Sequence, residues 1–598
     1  MDSKNLEALR KEMKKHGIDV YLVPMSDFHS SEYVGAHFKE IAFVSGFTGE
    51  NSNLVVTQKE AALWADGRYF IQAAREIEGT GIELMKMGVD GVPTVEEYLK
   101  EALSAKKKGM VLGYDGRLIS GRIHESYKKI ADECKATIDM RYDLVDIIWK
   151  ERPQLSCEKA WVLHKRYAGE SIKSKLKRLY DKVEAAGADA HLVTSLYDIA
   201  WILNLRGSDI PNVPVFMSYL LMTKDGVTLY VQKKAVDGRV KAYLKRAEIT
   251  VRDYDDIYKD IRKVKSKKIL VDDEIVNARL IDLIPSRTQI VYDADPSRLM
   301  KSIKNKTEIE NTREAHIFDG VAVTKFIYYV KSKIGHEELT ELSVSDVLES
   351  LRRESVDFLD LSFDTISAYG PNAAMMHYSA TEESFSKLEP HGFYLVDSGG
   401  HYMTGSTDIT RTIALGKLTD EEKRAYTLTL RAHLRLMAAH FPEGATGQNL
   451  DVLSRGIMWD EALDYRCGTG HGVGHILNVH EGPNSFRWKQ KDRDRVWPLE
   501  PGMITTDEPG LYEENKYGVR LENELLCVKG AKSEYGQFLE FENLTFAPYD
   551  PEAIIPEMLT QYEKATLNAY NKAVYEKIAL HLNDEEKAWL SEQTRAIN

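Results

Sequence analysis

Four carboxylates and one imidazole in the second half of this chain have the residue types and local spacing to hold divalent cations. Asp397 stands in Phe393-Tyr394-Leu395-Val396-Asp397-Ser398-Gly399-Gly400, and Asp408 follows in Ser406-Thr407-Asp408-Ile409-Thr410-Arg411-Thr412. Two strands joined by a turn near Tyr402 and Met403 would set these aspartates opposite one another on an antiparallel pair. Glu522 lies in Tyr517-Gly518-Val519-Arg520-Leu521-Glu522-Asn523, whose alternation predicts one strand with Arg520 and Glu522 on the same face. Glu508 closes a short apolar stretch just before the Pro509-Gly510 turn. His471 belongs to Gly468-Thr469-Gly470-His471-Gly472-Val473-Gly474-His475, where alternate glycines allow close backbone approach and leave the imidazole uncovered. The glycines do not spell a dinucleotide-binding loop, because Val473 and His475 stand where that pattern needs glycine. His480-Glu481 likewise lacks the second histidine of H-E-x-x-H.

Taken singly, each residue has an ordinary reading as a turn-forming Asp, a solvated Glu or a structural His. Brought together, four carboxylates would repel by about 4 kcal/mol per close pair at an effective dielectric near 20. Two divalent cations supply the compensating charge. Oxygen-rich ligation with a single imidazole favours Mn²⁺ or a similar hard ion, with Zn²⁺ and Co²⁺ left open. Cys134, Cys157, Cys467 and Cys527 show no C-x-x-C spacing, which excludes a thiolate zinc cluster and a disulfide framework and suits a reducing cytoplasm.

The elements that must position these residues follow from the rest of the chain. Its 598 residues, 43% hydrophobic and 29% charged, describe an ordinary globular protein of about three or four domains. The net charge of −13 argues against nucleic acid as a partner. No run of about 18 apolar residues predicts a membrane span, and the charged opening residues Met1 to Val20 lack the apolar core of a secretion signal, so a cytoplasmic protein is expected. Gly17-Ile18-Asp19-Val20-Tyr21-Leu22-Val23 resembles Gly187-Ala188-Asp189-Ala190-His191-Leu192-Val193, each after a Lys/Glu-rich helical stretch, and each copy continues into a strand-turn-strand. An α/β (α+β) protein is therefore expected, in three blocks at 1–155, 156–300 and 301–598, with linkers near Arg152-Pro153 and at 295–306. A long helix should begin near Thr307, and the capping box Thr419-x-x-Glu422 should open a helix continuing to about Phe441.

The order and spacing of Asp397, Asp408, His471, Glu508 and Glu522 resemble the pita-bread metallopeptidase family, which includes methionine aminopeptidase, prolidase and aminopeptidase P. Asp-Ser-Gly-Gly, Ser-Thr-Asp-Ile-Thr-Arg-Thr, Gly-Thr-Gly-His-Gly-Val-Gly, Val-His-Glu-Gly-Pro, Asp-Glu-Pro-Gly and Arg-Leu-Glu-Asn are similar to its aminopeptidase P branch. Asp66-Gly67-Arg68-Tyr69 and Leu203-Asn204-Leu205-Arg206-Gly207-Ser208-Asp209 extend the likeness to the long, three-domain cytosolic form.

The resemblance implies two creatinase-like α/β domains ahead of a pita-bread catalytic domain, and a dinuclear centre. Asp397, Asp408 and Glu522 would surround one ion and Asp408, His471, Glu508 and Glu522 the other, with a metal-activated hydroxide attacking the scissile bond and Glu508 shuttling the proton. His377 and His480 match histidines that bind substrate and steady the intermediate, and Arg520 and Tyr512 match residues that orient Asp397. Without the family, His377 reads as a core histidine beneath Met375 and Met376. The implied activity is Xaa-Pro aminopeptidase on peptides with a penultimate proline, in a homodimer. Prolidase activity on Xaa-Pro dipeptides, or a catalytically dead peptide-binding module, are the alternatives. Cys467 departs from the branch, which often has a histidine there, so either that histidine is dispensable or His475 or another group replaces it.

Overall fold

A left-handed glycine stops the opening helix of each repeat and turns the chain into a sheet. Gly17 (φ +69°) follows the helix Lys4–Lys15, and Gly187 (φ +78°) follows Ile172–Ala185. Two residues later, the Asp19 carboxylate accepts the Val111 amide at 2.9 Å and the Asp189 carboxylate accepts the Lys268 amide at 2.8 Å, so each aspartate ties the first strand to the parallel strand beside it. The outcome is the same six-stranded mixed sheet twice. The first runs Glu83–Lys86, Ala61–Ala65, Ser52–Thr57, Val20–Pro24, Val111–Gly113, Thr137–Asp139. The second runs Ile249–Arg252, Gly226–Val231, Ser218–Thr223, Ala190–Val193, Lys268–Val271, Gln289–Tyr292.

The computed structural model describes residues 4–67, 69–105, 109–489 and 496–598; Arg68 of the Asp-Gly-Arg-Tyr motif lies outside them. The chain divides into two units, residues 1–163 with 171–297 and residues 164–170 with 298–598. Both sheets lie in the first unit, where Asn277 Nδ2 donates to Phe28 O at 2.9 Å and Arg122 pairs with Asp273 at 2.9 Å. No described helix is long and apolar enough to cross a membrane.

In the second unit the helix Lys306–Lys333 starts at the capping box Asn305–Glu308, one residue ahead of expectation. The expected linker at 295–306 is partly helical, Pro296–Ser302, and ends in two buried lysines, Lys301 and Lys304. The helix Asp420–Met437 does open at Thr419–Glu422 but stops at Met437. Phe441 instead lies in the strand His440–Pro442, because its backbone pairs with Leu539. Tyr426, Leu430 and Leu434 of that helix are fully buried in the main core, so truncating either leucine to alanine should cost roughly 2–5 kcal/mol. Two antiparallel sheets position the acidic residues. One is ordered Ile366–Tyr369, Phe393–Ser398, Ile409–Ala414, and the other His440–Pro442, Gly536–Asn543, Asn523–Ser533, Ile504–Asp507.

Candidate active site

In the first of these sheets Asp397 faces Thr410 and Ser398 faces Ile409, so the next position in that register sets Asp408 across from Gly399. The two aspartates are therefore diagonal neighbours on one face, not directly opposite. The turn between them falls at Met403-Thr404 and not at Tyr402-Met403, since Tyr402 already pairs with Gly405. A Cβ on Gly399 would lie 1.9 Å from Thr407 O, and only glycine lets the two segments come this close. Asp408, Thr410 and Thr412 alternate onto the same face. The Thr410 hydroxyl donates to Glu522 Oε2 at 2.6 Å and accepts from Arg520 Nε at 3.1 Å, while Thr412 bonds the Arg520 backbone.

The single strand expected over residues 517–523 is broken. Tyr517–Arg520 pairs with Gly510–Glu513, Glu522 donates its amide to Thr410 O, and a new strand starts at Asn523. Arg520 and Glu522 still converge, because Thr410 receives one and donates to the other. Arg520 also sends Nη2 to Asp397 Oδ2 at 2.6 Å and Nη1 to Tyr512 Oη at 2.8 Å. In the second sheet Asp507 pairs with Asn523, so Glu508 and Glu522 occupy the next facing positions.

A Cβ on Gly470 would stand 1.8 Å from Thr506 O and one on Gly472 2.0 Å from Glu481 O, which is why glycines flank His471. The His471 amide donates to Thr506 Oγ1 at 3.0 Å, and the Thr506 hydroxyl donates to Glu508 Oε1 at 3.2 Å. His471 Nδ1–H donates to Gly472 O at 2.9 Å, leaving the Nε2 lone pair 3.4 Å from Asp408 Oδ2 and 3.5 Å from Glu508 Oε1. The His480 ring stands edge-on to His471, centroids 4.3 Å apart.

Burial, with the charges of Asp397 and Glu508, pushes the Asp408 carboxyl well above its usual pKa, and burial with Asp408 and Glu508 does the same to Glu522. Asp397 Oδ1 and Glu522 Oε1 are buried and accept no hydrogen bond. Donor atoms of Asp408, His471 and Glu522 lie within 4.8 Å of one another. Crowded carboxylates with uncovered oxygens and an aimed imidazole lone pair fit divalent cations.

His377 is exposed, on the loop after the 3₁₀ turn Gly370–Ala374, and is not the core histidine that its methionine neighbours suggest. A Cβ on Gly518 would meet Ala373 O at 1.8 Å, so that turn packs directly on the strand carrying Arg520. Cys467 is half-buried, its thiol pushed up to about 12 by burial and then by the Glu508 charge. His475 is buried with Nδ1 3.3 Å from the Thr312 hydroxyl. Thr410 and Thr506 are the site residues that sequence reasoning passed over, and alternation with Asp408 could have pointed to Thr410. Two braces come from the C-terminal region: Tyr549 Oη bonds His433, whose other nitrogen donates to Asp507 O, and Tyr570 Oη accepts from Arg411, which also donates to Glu522 O.

Residues 5–146 and 151–308 each match the creatinase/prolidase N-terminal domain, 310–529 match metallopeptidase family M24, and 537–597 match the C-terminal region of that peptidase family. A probable Xaa-Pro aminopeptidase P of Botryotinia fuckeliana is 38% identical, covering 100% of this chain and 93% of that protein. One from Chaetomium globosum is 37% identical over 99% of this chain and 98% of its own length. The chain belongs to metallopeptidase family M24. Among solved structures, the X-prolyl aminopeptidase of Caenorhabditis elegans, described as a cytosolic enzyme with a di-nuclear active site, matches with TM-score 0.92 and 31% identity over 99% of this chain and 100% of that one. The Xaa-Pro dipeptidase of Bacillus anthracis covers 64% of this chain at TM-score 0.50 and 26% identity. This M24 chain thus has two creatinase-type α/β domains ahead of a pita-bread domain, as its motifs imply.

Proposed function

We propose that this chain is an Xaa-Pro aminopeptidase, hydrolysing the bond between an N-terminal residue and a penultimate proline. The observation that carries the reading is the full-length match to an X-prolyl aminopeptidase, supported by donor atoms of Asp408, His471 and Glu522 within 4.8 Å of one another and by Glu508 Oε1 3.5 Å from His471 Nε2. Asp397, Asp408, His471, Glu508 and Glu522 would hold two ions, with Asp408 and Glu522 shared. When bound, two divalent ions, Mn²⁺ foremost given the oxygen donors, supply Lewis acidity and lower the pKa of water toward neutrality.

The chain's own groups do the rest. The Glu508 side chain is 22% exposed, against 5% for Asp408 and 14% for His471, so it is the carboxylate facing the incoming peptide. It takes the proton of the attacking water and returns it to the proline nitrogen as the C–N bond breaks. His480 donates to the carbonyl oxygen as that atom gains negative charge, and His377 on its exposed loop binds the substrate. Arg520, itself held by Tyr512, keeps Asp397 in one orientation. Because the scissile amide of an Xaa-Pro bond has no N–H, the leaving residue is read by its ring and not by a backbone acceptor.

The same reading takes the domains as 1–155, 156–300 and 301–598 and the protein as a cytoplasmic homodimer, which light scattering on the purified enzyme would test. Metal-stripped protein assayed on Arg-Pro-Pro-type peptides, with each divalent ion restored in turn, tests the activity. Turnover of Xaa-Pro-Yaa but not Xaa-Pro is expected. Turnover of the dipeptide alone would make it a prolidase, and no activity with any ion would make it a binding module.

A further inference from the structure

Immediately after His480 lies Glu481, a carboxylate only 3% exposed as a side chain, and it is met by two buried lysines from a segment nearly 180 positions earlier. Lys304 Nζ donates to Glu481 Oε1 at 2.5 Å, and Lys301 Nζ stands 3.9 Å from Oε2. Lys304 is itself pinned: its Nζ donates to Lys301 O at 3.2 Å and its amide to Gly502 O at 2.9 Å. A buried ion pair gains little stability over an apolar pair of the same size, so its use here points to a geometric role.

That geometry leads to the two histidines. The Glu481 amide donates to Gly472 O at 2.7 Å, and the same oxygen accepts His471 Nδ1–H at 2.9 Å. Asn478 Nδ2 donates to His480 O at 2.8 Å, and a Cβ on Gly474 would lie 3.1 Å from Glu481 Oε2. The carboxylate thus sits inside the loop, against Gly474. Removing the Lys304 charge would take away the 2.5 Å partner of the buried Glu481 carboxylate and leave it with Lys301 at 3.9 Å from Oε2. The carboxylate would then turn toward water, drawing its amide off Gly472 O and the His480 ring off His471.

We infer that Lys304, acting through Glu481, is a positioning residue for His480. The inference rests on the reading that His480 acts on the substrate carbonyl. It accounts for why a residue from the segment leading into the helix Lys306–Lys333 is buried against the loop of a site residue.

A double-mutant cycle of wild type, K304M, H480A and K304M/H480A, assayed with an Arg-Pro-Pro peptide at saturating Mn²⁺, tests it. K304M should lose about 10- to 100-fold in kcat with KM changed much less and metal content kept. In the H480A background the further loss should stay within about 2-fold, because the two changes act through one group. K304R, which keeps a donor and the charge, should recover part of kcat. If K304M does not fold, E481Q, which keeps side-chain size and one acceptor for Lys304, enters the same cycle with the same expectations. Wild-type turnover by K304M, or losses that multiply in the double variant, would overturn the inference. If H480A alone turns over at the wild-type rate, the role of His480 fails, and any K304M loss must then act elsewhere.

Discussion

Arg520 Nη2 donates to Asp397 Oδ2 at 2.6 Å, although the residues are 123 positions apart and their strands belong to different sheets. The same guanidinium reaches Tyr512 and Thr410, so three groups are held by one planar fork.

A lysine at this position can offer a point charge but not three donors in fixed directions. Arg520→Lys should keep its circular dichroism spectrum yet need about 10- to 100-fold more free Mn²⁺ for half-maximal activity. Superimposable titrations of activity against free Mn²⁺ for the two proteins would end the assignment.

The Asp408 carboxyl is raised first by burial and then by the charges of Asp397 and Glu508, and it stands 3.4 Å from His471 Nε2. As a shared ligand it should be indispensable to both ions. Elemental analysis should find about two ions per chain in the replete enzyme and a loss at both sites in Asp408→Ala. A variant with unchanged metal content would remove Asp408 from the ligand set.

Burial and charged neighbours raise Asp408 and Glu522 well above ordinary carboxyls, and burial raises Asp507 to about 6. Such groups bind more protons folded than unfolded once pH passes about 4, so the metal-free fold loses stability as pH rises from there through the raised values. Bound cations need the ionised carboxylates and reverse that trend. The stripped protein should melt several degrees lower at pH 8 than at pH 5.5, and the gap to the replete form should widen over the same interval. Calorimetry with and without Mn²⁺ at both pH values measures this; a stripped protein that is no less stable at pH 8 would contradict it.

With its thiol pushed up to about 12 by burial and then by the Glu508 charge, Cys467 should react slowly as a nucleophile at pH 8. Iodoacetamide should modify it at least about 10²-fold more slowly in the folded protein than in urea, as read by peptide mass spectrometry. Equal rates would show that the residue standing where the branch often has histidine is a reactive thiol.

The sequence by itself determined the chemistry and the local frame. Ligand type is a property of single residues, and the alternation around Asp408, His471 and Glu522 is set by neighbours a few positions away. The repeat was equally local: a helix, a left-handed glycine and an aspartate recur at Gly17-Asp19 and Gly187-Asp189 and build the same sheet twice. Only the tertiary structure decided which strands meet. Alternation states that residues share a face, but register depends on backbone pairing between distant segments, so Asp408 lies diagonal to Asp397 and not opposite it. The 517–523 segment alternates like one strand, yet it divides between two sheets because Glu522 bonds Thr410 before Asn523 finds Asp507. Lys304 falls in the expected 295–306 linker, and nothing within a few residues of it reveals the carboxylate it meets, Glu481, 177 positions on.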